Sequence, residues 1–393
     1  MSIAESVSKS LAASSWIRKM FEEGARLKAE YGPENVFDFS LGNPNVPPPA
    51  AFKQALAETA ADTAIDHSYM PNTGYPETRA AVAAQVSKEQ AATLSASDII
   101  MTCGAAGGLN VILKAILNPG EMVVTPAPFF VEYKFYALNH GGEFATAPVK
   151  ADFDLDLDAL DRAIGNTTRA VIINSPNNPT GAVYPKETLA RLGILLSEKS
   201  AAFNRTIYLI ADEPYRKIVY DNMDVPPVFA AYADSLIVTS YSKDLSLPGE
   251  RIGFIAVNPA AQFKEDLLGA MAFANRVLGF VNAPALMQRV VAKTQGQQVD
   301  ISEYARKREL ICDILSDCGY AFTRPMGAFY LFPSSPTPDD VEFVRILQDE
   351  RILAVPGSGF GGPGYFRLSF CVDDDTIKNA AGGFQTAMDK TKQ

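Results

Sequence analysis

The chain has 393 residues, of which 47% are apolar, and a formal net charge of −10. At roughly 100 to 200 residues per packing unit, this is enough for two or three units with a sizeable core. The negative balance, with no basic stripe to displace counterions from phosphates, argues against a nucleic-acid partner, and no apolar run approaches the roughly 18 to 20 residues that span a bilayer.

Residues 1–15 are rich in Ser and Ala and lack the basic-then-apolar profile of a secretory signal, so the chain is expected to act in the cytoplasm. The 15–31 stretch reads as an amphipathic helix. Segment 43–49, dense in proline, reads as an extended crossing that cannot be a central strand. From residue 98 onward, short β-rich runs alternate with helical ones, the pattern of a sheet covered by helices. Strands are expected at 99–103, 122–125, 170–174, 207–211, 236–241 and 252–257. Helices are expected at 107–116 and at 186–200, the latter announced by Pro179 and Gly181. Beyond them come a helix at 298–317, a strand at 329–332, a helix at 340–353 and a strand at 366–371.

The fold class expected is α/β: a large domain with a mixed, mostly parallel sheet and helices on both faces, plus a smaller α+β domain built from both chain ends. The boundaries expected are 1–48 for an N-terminal helix, arm and part of the small domain, 49–285 for the large domain and 286–393 for the rest of the small one. The cysteines Cys103, Cys312, Cys318 and Cys371 form no CxxC pair, and only His67 and His140 could join them. No metal site is expected, and the thiols read as small apolar residues in a reducing compartment.

In an open parallel sheet the ligand lies beyond the carboxyl ends of the strands. Residues 103–108 (CGAAGG) leave the first strand and open a helix whose free N–H groups suit a phosphate, though close packing alone would also call for small residues there. Residues 174–181 (NSPNNPTG) force a turn at the third strand's end, where an Asn amide either donates to a ligand or caps the turn. Asp212 ends a buried strand and needs a cationic partner; a helix cap or an internal salt bridge would also satisfy it. In residues 240–253 (SYSKDLSLPGERIG), Ser240, Ser242 and Arg251 suit a phosphate dianion. Lys243 supplies an amine for a Schiff base once a neighbouring cation lowers its proton affinity.

With these motifs in this order, from 41–44 (LGNP) to 366–369 (FRLS), the sequence resembles the class I/II aminotransferases, the aspartate aminotransferase-like group of fold type I pyridoxal-phosphate enzymes. The resemblance implies pyridoxal 5'-phosphate held by Lys243 as an imine, with Lys243 later moving a proton and Asp212 meeting the pyridine nitrogen. It implies Tyr215 and Asn178 on the phenolic oxygen, and Gly104, Ala105, Ala106, Ser240, Ser242 and Arg251 on the phosphate. Phe130 would stack on the ring, with Phe129 as the neighbouring alternative and core packing as the plain reading of either. Arg367 would grip the substrate α-carboxylate as a bidentate fork, with Asn178 beside it and Gly42 allowing close backbone approach. Tyr69 would reach the phosphate of a neighbouring subunit, which implies a homodimer.

The reaction implied is a ping-pong transfer from an L-amino acid to a 2-oxo acid such as 2-oxoglutarate, with aspartate or alanine as the first-guess donor and aromatic donors next. Ala106 stands where some bacterial aspartate aminotransferases carry a lysine that helps read a distal carboxylate, so dicarboxylate specificity has no identified determinant in the sequence. A carbon-sulfur lyase or an aminocyclopropane-carboxylate synthase-like enzyme would share the cofactor residues. A non-catalytic amino acid sensor would need an added DNA-binding domain or a lost lysine, and neither is seen.

Overall fold

The computed structural model describes residues 3–5, 7–8 and 16–392. In chain order its strands are β1 (Phe37–Asp38), β2 (Ile99–Thr102), β3 (Met122–Ala127), β4 (Glu143–Pro148), β5 (Thr168–Asn174) and β6 (Tyr208–Asp212). They continue as β7 (Ser235–Ser240), β8 (Gly253–Val257), β9 (Tyr330–Leu331), β10 (Ile352–Leu353), β11 (Val355–Pro356) and β12 (Phe366–Ser369). Seven of them form one sheet in the order β2-β8-β7-β6-β5-β3-β4. Only β8 runs against its neighbours, so the sheet is mixed and mostly parallel, as expected.

Alternate residues of each strand feed two separate cores. Leu209, Ala211 and Ile237 pack with Leu192, Leu196 and Val290 on one face, while Ile210, Leu236 and Val238 pack with Leu109, Ile112 and Met271 on the other. Both faces are covered, which is why these strands read as continuous apolar runs rather than as alternating ones. The alternation persists past the strand ends and decides which way Asp212 and its neighbour Glu213 point.

The carboxyl ends of β2, β5, β6 and β7 meet along one edge of the sheet. Antiparallel β8 starts at that same edge, because Gly253 is the registered partner of both Thr102 and Ser240. A Cβ on Gly253 would stand 2.3 Å from the Thr239 carbonyl and 3.0 Å from Gly104, so glycine is what lets three chain segments converge there.

A third core joins the two chain ends, with Met20 and Phe39 packed among Phe343, Phe370 and Phe384. Here β1 pairs parallel with β10, and β11-β12-β9 form a small antiparallel sheet. The observed elements differ in places from those expected. The helix expected at 15–31 is Trp16–Tyr31, with Ser15 outside the described residues. The helix expected from 298 starts at Ile301, where Asp300 accepts from the Ser302 N–H and caps it. The helix expected at 340–353 stops at Asp349: Arg351 turns left-handed at φ 62°, and residues 352–353 become β10. Strand β4 and helices such as Ala50–Ala61 and Pro76–Glu89 were not expected.

Candidate active site

The edge where the strands converge borders a cleft of about 290 Å³, near the lower end of the roughly 300–1,000 Å³ usual for small-molecule sites. On one side, helix Gly104–Ile116 opens directly from β2. Gly104 has φ +73°, and a Cβ there would come within 2.9 Å of Arg251 Nη2, so the turn admits only glycine without strain. Ala105 and Ala106 follow it and line the cleft, and the first N–H groups of the helix have no intrahelical acceptor. Opposite them, Ser240 Oγ donates to Ser242 Oγ at 3.0 Å. Arg251, at φ +53° after a short helical turn, donates to the Pro248 carbonyl at 3.0 Å. Two hydroxyls, a guanidinium and a helix N-terminus thus face a common space, a donor set suited to a phosphate dianion.

Deeper in, Asp212 ends β6 with only 5% of its surface exposed. Its Oδ2 accepts from the Tyr133 hydroxyl at 2.5 Å, and its Oδ1 has no partner. Burial pushes its carboxyl up to about 7, against the pull of the Tyr133 hydrogen bond, and nearby Glu213 adds to the rise. The helix cap or internal salt bridge that would otherwise account for Asp212 is absent among the described residues. An orphaned carboxylate oxygen at this depth fits a cationic ring N–H. The Asn174 amide holds this corner together, donating to the Asp212 carbonyl at 2.8 Å and accepting from the Asn178 N–H at 2.7 Å.

Lys243 lines the same cleft from the short helical turn Tyr241–Asp244 that follows β7. Its Nζ donates to the Gly42 carbonyl at 2.7 Å and stands 5.4 Å from the centre of the Phe329 ring. Burial lowers its ammonium to about 8, and the Arg367 and Arg251 cations add to the fall while Cys371 opposes it. At neutral pH that leaves roughly a tenth of the amine free, against well under a thousandth for an unshifted lysine, and the free form is the one that condenses with an aldehyde.

Arg367 sits on β12, the middle strand of its sheet, and is 2% exposed. Its flanks Phe366 and Leu368 are buried as well, because both faces of that strand are covered. Its guanidinium carbon lies 4.6 Å from the ring centres of both Tyr330 and Phe360. It donates to the Ser40 carbonyl at 2.6 Å and to Asn178 Oδ1 at 3.0 Å, while Nε has no partner. A rigid fork held between two rings and not fully satisfied is ready for a carboxylate.

Tyr215 and Tyr330 share a hydrogen bond of 3.0 Å between their hydroxyls at the cleft wall. Since Asn178 accepts from Arg367 through Oδ1, its NH₂ end is the part left to donate. Of the two adjacent phenylalanines, Phe130 lines the cleft, whereas Phe129 packs on Phe144 at 5.1 Å within a core. Gly42 is pressed against Tyr330, whose hydroxyl would lie 1.9 Å from an added Cβ. Tyr69 stands apart, 90% exposed and outside the cleft of its own chain. Sequence reasoning missed Tyr133, Tyr330 and Ser40, which join the site from three separate segments and carry no motif of their own.

The profile of the family described as "Aminotransferase class I and II" matches residues 34–384. A "Probable aspartate aminotransferase" from Methanocaldococcus jannaschii is 30% identical over 357 residues, covering 88% of this chain and 92% of that protein. An "Aromatic-amino-acid aminotransferase 2" from Thermococcus litoralis is 29% identical and covers 96% of each chain. Among solved structures, an amino transferase from Eubacterium rectale superposes with a TM-score of 0.96 at 40% identity, with each chain fully covered.

Proposed function

This chain belongs to the aminotransferase class I and II family, and from that premise we propose that it moves the amino group of an L-amino acid to a 2-oxo acid in two half-reactions. Aspartate or alanine is the donor proposed first and an aromatic amino acid second, with 2-oxoglutarate as acceptor. Pyridoxal 5'-phosphate, when bound, supplies an aldehyde that condenses with amines and a ring that accepts the electron pair left on Cα when the α-proton departs.

Lys243 Nζ would hold the aldehyde carbon, and Asp212 Oδ1 would take the ring N–H. Tyr215 and Asn178 would donate to the phenolic oxygen, and Phe130 would cover one ring face. The Gly104, Ala105 and Ala106 segment with Ser240, Ser242 and Arg251 would hold the phosphate. Tyr69 of the partner subunit would reach the same phosphate, which makes the working unit a homodimer.

For the substrate, Arg367 would fix the α-carboxylate through two parallel hydrogen bonds, with the Gly42 backbone alongside. That grip would orient the α-hydrogen toward Lys243, whose free-amine form can take the proton at Cα and return it at the C4' carbon two atoms along. Asp212, as an anion, keeps a proton on the ring nitrogen. Burial by Tyr330 and Phe360 excludes water from around Arg367, which strengthens its hold on a carboxylate.

The proposal extends to the domain division at 1–48, 49–285 and 286–393, and to action in the cytoplasm. No described helix is long and apolar enough to cross a membrane.

The observation that supports this reading best is the pairing, in one cleft, of a lysine of lowered proton affinity with an orphaned buried carboxylate oxygen. The experiment that tests it mixes holoenzyme with aspartate, alanine, phenylalanine or cystathionine. Stoichiometric loss of the visible cofactor band with one 2-oxo acid released supports transfer. Pyruvate with free ammonia would instead mark a lyase.

A further inference from the structure

Behind the cleft lies a second, smaller space of about 30 Å³, room for about one water. Pro214 and Ser240 line both spaces, so the two stand back to back. Asp212 and Lys243 face the cleft, whereas the residues immediately after them, Glu213 and Asp244, face the rear space. The alternation of β6 sends Glu213 to the opposite side from Asp212. In the helical turn, successive side chains diverge by about 100°, which sends Asp244 away from Lys243.

The rear space is built of charges. Arg216 Nη1 reaches both Glu213 oxygens, at 3.1 and 3.0 Å, and its Nη2 donates to the carbonyls of Glu89 and Val225. Gln90 donates to Glu213 at 3.2 Å. Lys217 Nζ meets Asp244 Oδ2 at 3.1 Å and Glu89 Oε1 at 3.9 Å. Asp244 Oδ1 is buried without a partner. Three carboxylates against two cations leave a formal balance of −1 if all are ionised.

We propose that the Lys217–Asp244 ion pair is a positioning strut that fixes the spacing of Lys243 from Asp212. Lys217 lies on the segment that continues from Asp212, and Asp244 lies on the turn that carries Lys243. The pair therefore ties together, from behind, the two segments whose front residues both line the cleft. With Asp244 pinned, the turn cannot rotate about its axis, so the Lys243 side chain has one exit direction. Desolvating two ions makes such a pair a poor source of stability but an effective fixer of geometry. Asp244 and Lys217 touch neither substrate nor cofactor space and act only through the turn and the segment that bear them.

This inference rests on the proposed role of Lys243, and the wild-type holoenzyme separates the two. A wild type without a borohydride-reducible visible band would defeat the role of Lys243 itself. Given that band, the test compares Asp244→Asn, Lys217→Met and the double variant as holoenzymes by spectral pH titration, half-reaction kinetics and thermal unfolding. Either single variant should slow the half-reaction about 10- to 100-fold with the donor KM within about threefold, the scale of a misplaced catalytic group. Each should also move the midpoint of the visible band by about half a pH unit or more. The double variant, which leaves no lone ion at that pair, should regain most of the lost melting temperature without regaining rate or band midpoint, and Lys217→Arg should keep all three. Rate and midpoint that never move, or that recover together with melting temperature in the double variant, would overturn the proposal in favour of a merely structural pair.

Discussion

Tyr133 donates its hydroxyl hydrogen to Oδ2 of Asp212 at 2.5 Å, while Oδ1 of the same buried carboxylate has no partner. The tyrosine thus holds one oxygen in place and leaves the other for the cleft. Burial raises the Asp212 carboxyl to about 7, and the Tyr133 bond works against that rise. Tyr133→Phe should raise it further and lower kcat/KM about 10- to 100-fold, the worth of one hydrogen bond to a charged group. Because the cofactor-free carboxyl loses its charge as pH falls through about 7, the variant's deficit in cofactor affinity should be larger at pH 6 than at pH 8. An affinity–pH profile parallel to that of wild type would contradict this role.

The same carboxylate should carry a stability cost. Its folded-state value lies above the unfolded one near 3.8, so between those values the folded protein holds the extra proton. The unfavourable contribution therefore grows as pH rises from about 4 to about 7 and is constant above that. Asp212→Asn, whose amide oxygen can still accept from Tyr133, should stabilise cofactor-free protein at pH 8 by up to about 4 kcal/mol. The gain should vanish near pH 4 and reverse once cofactor is bound. Thermal unfolding at the two pH values, with and without pyridoxal phosphate, measures it.

Arg367→Lys keeps the charge but removes the planar fork that donates to both Ser40 and Asn178. Two directional contacts to a carboxylate cannot be made by one ammonium in the same way. The expected result is a loss of kcat/KM of about 100-fold or more for every α-amino acid, with the cofactor spectrum unchanged. Steady-state kinetics on two donors, alongside an absorbance scan, separates this from a general loss of fold.

Tyr69, at 90% exposure, has no packing role in its own chain. Tyr69→Ala should leave the melting temperature of cofactor-free protein within the range of a surface substitution, about 0.5 kcal/mol, yet weaken cofactor retention. Mixing it with Lys243→Ala should restore activity, because a mixed dimer contains one site with both residues intact. No recovery after subunit exchange would argue against a site shared between chains.

The sequence was most legible where burial is complete on both faces. Strands at 99–103, 170–174 and 207–211 stand within two residues of β2, β5 and β6 because apolar residues run almost unbroken there. Edge strand β4 was invisible: Glu143, Thr146 and Pro148 give it no apolar run, and its pairing comes from β3 alone. Helices Ala50–Ala61 and Pro76–Glu89 hid because Ala occurs on both their faces and Thr59 and Thr78 take buried positions, leaving little contrast between buried and exposed sides. In the site, Lys243, Asp212 and the residues around them were legible because strand-end position and residue type coincide. Tyr133 and Tyr330 were not, since an isolated tyrosine reads as core until the fold places it beside Asp212 or Tyr215.

The central claim is a covalent link from Lys243 to the cofactor, and its most direct measurement is borohydride reduction of the yellow holoenzyme followed by peptide mass mapping. One added pyridoxyl phosphate per chain, found on Lys243 alone and absent from Lys243→Ala, is the result predicted. A label on another lysine, or none in protein that retains the cofactor stoichiometrically, would contradict the account.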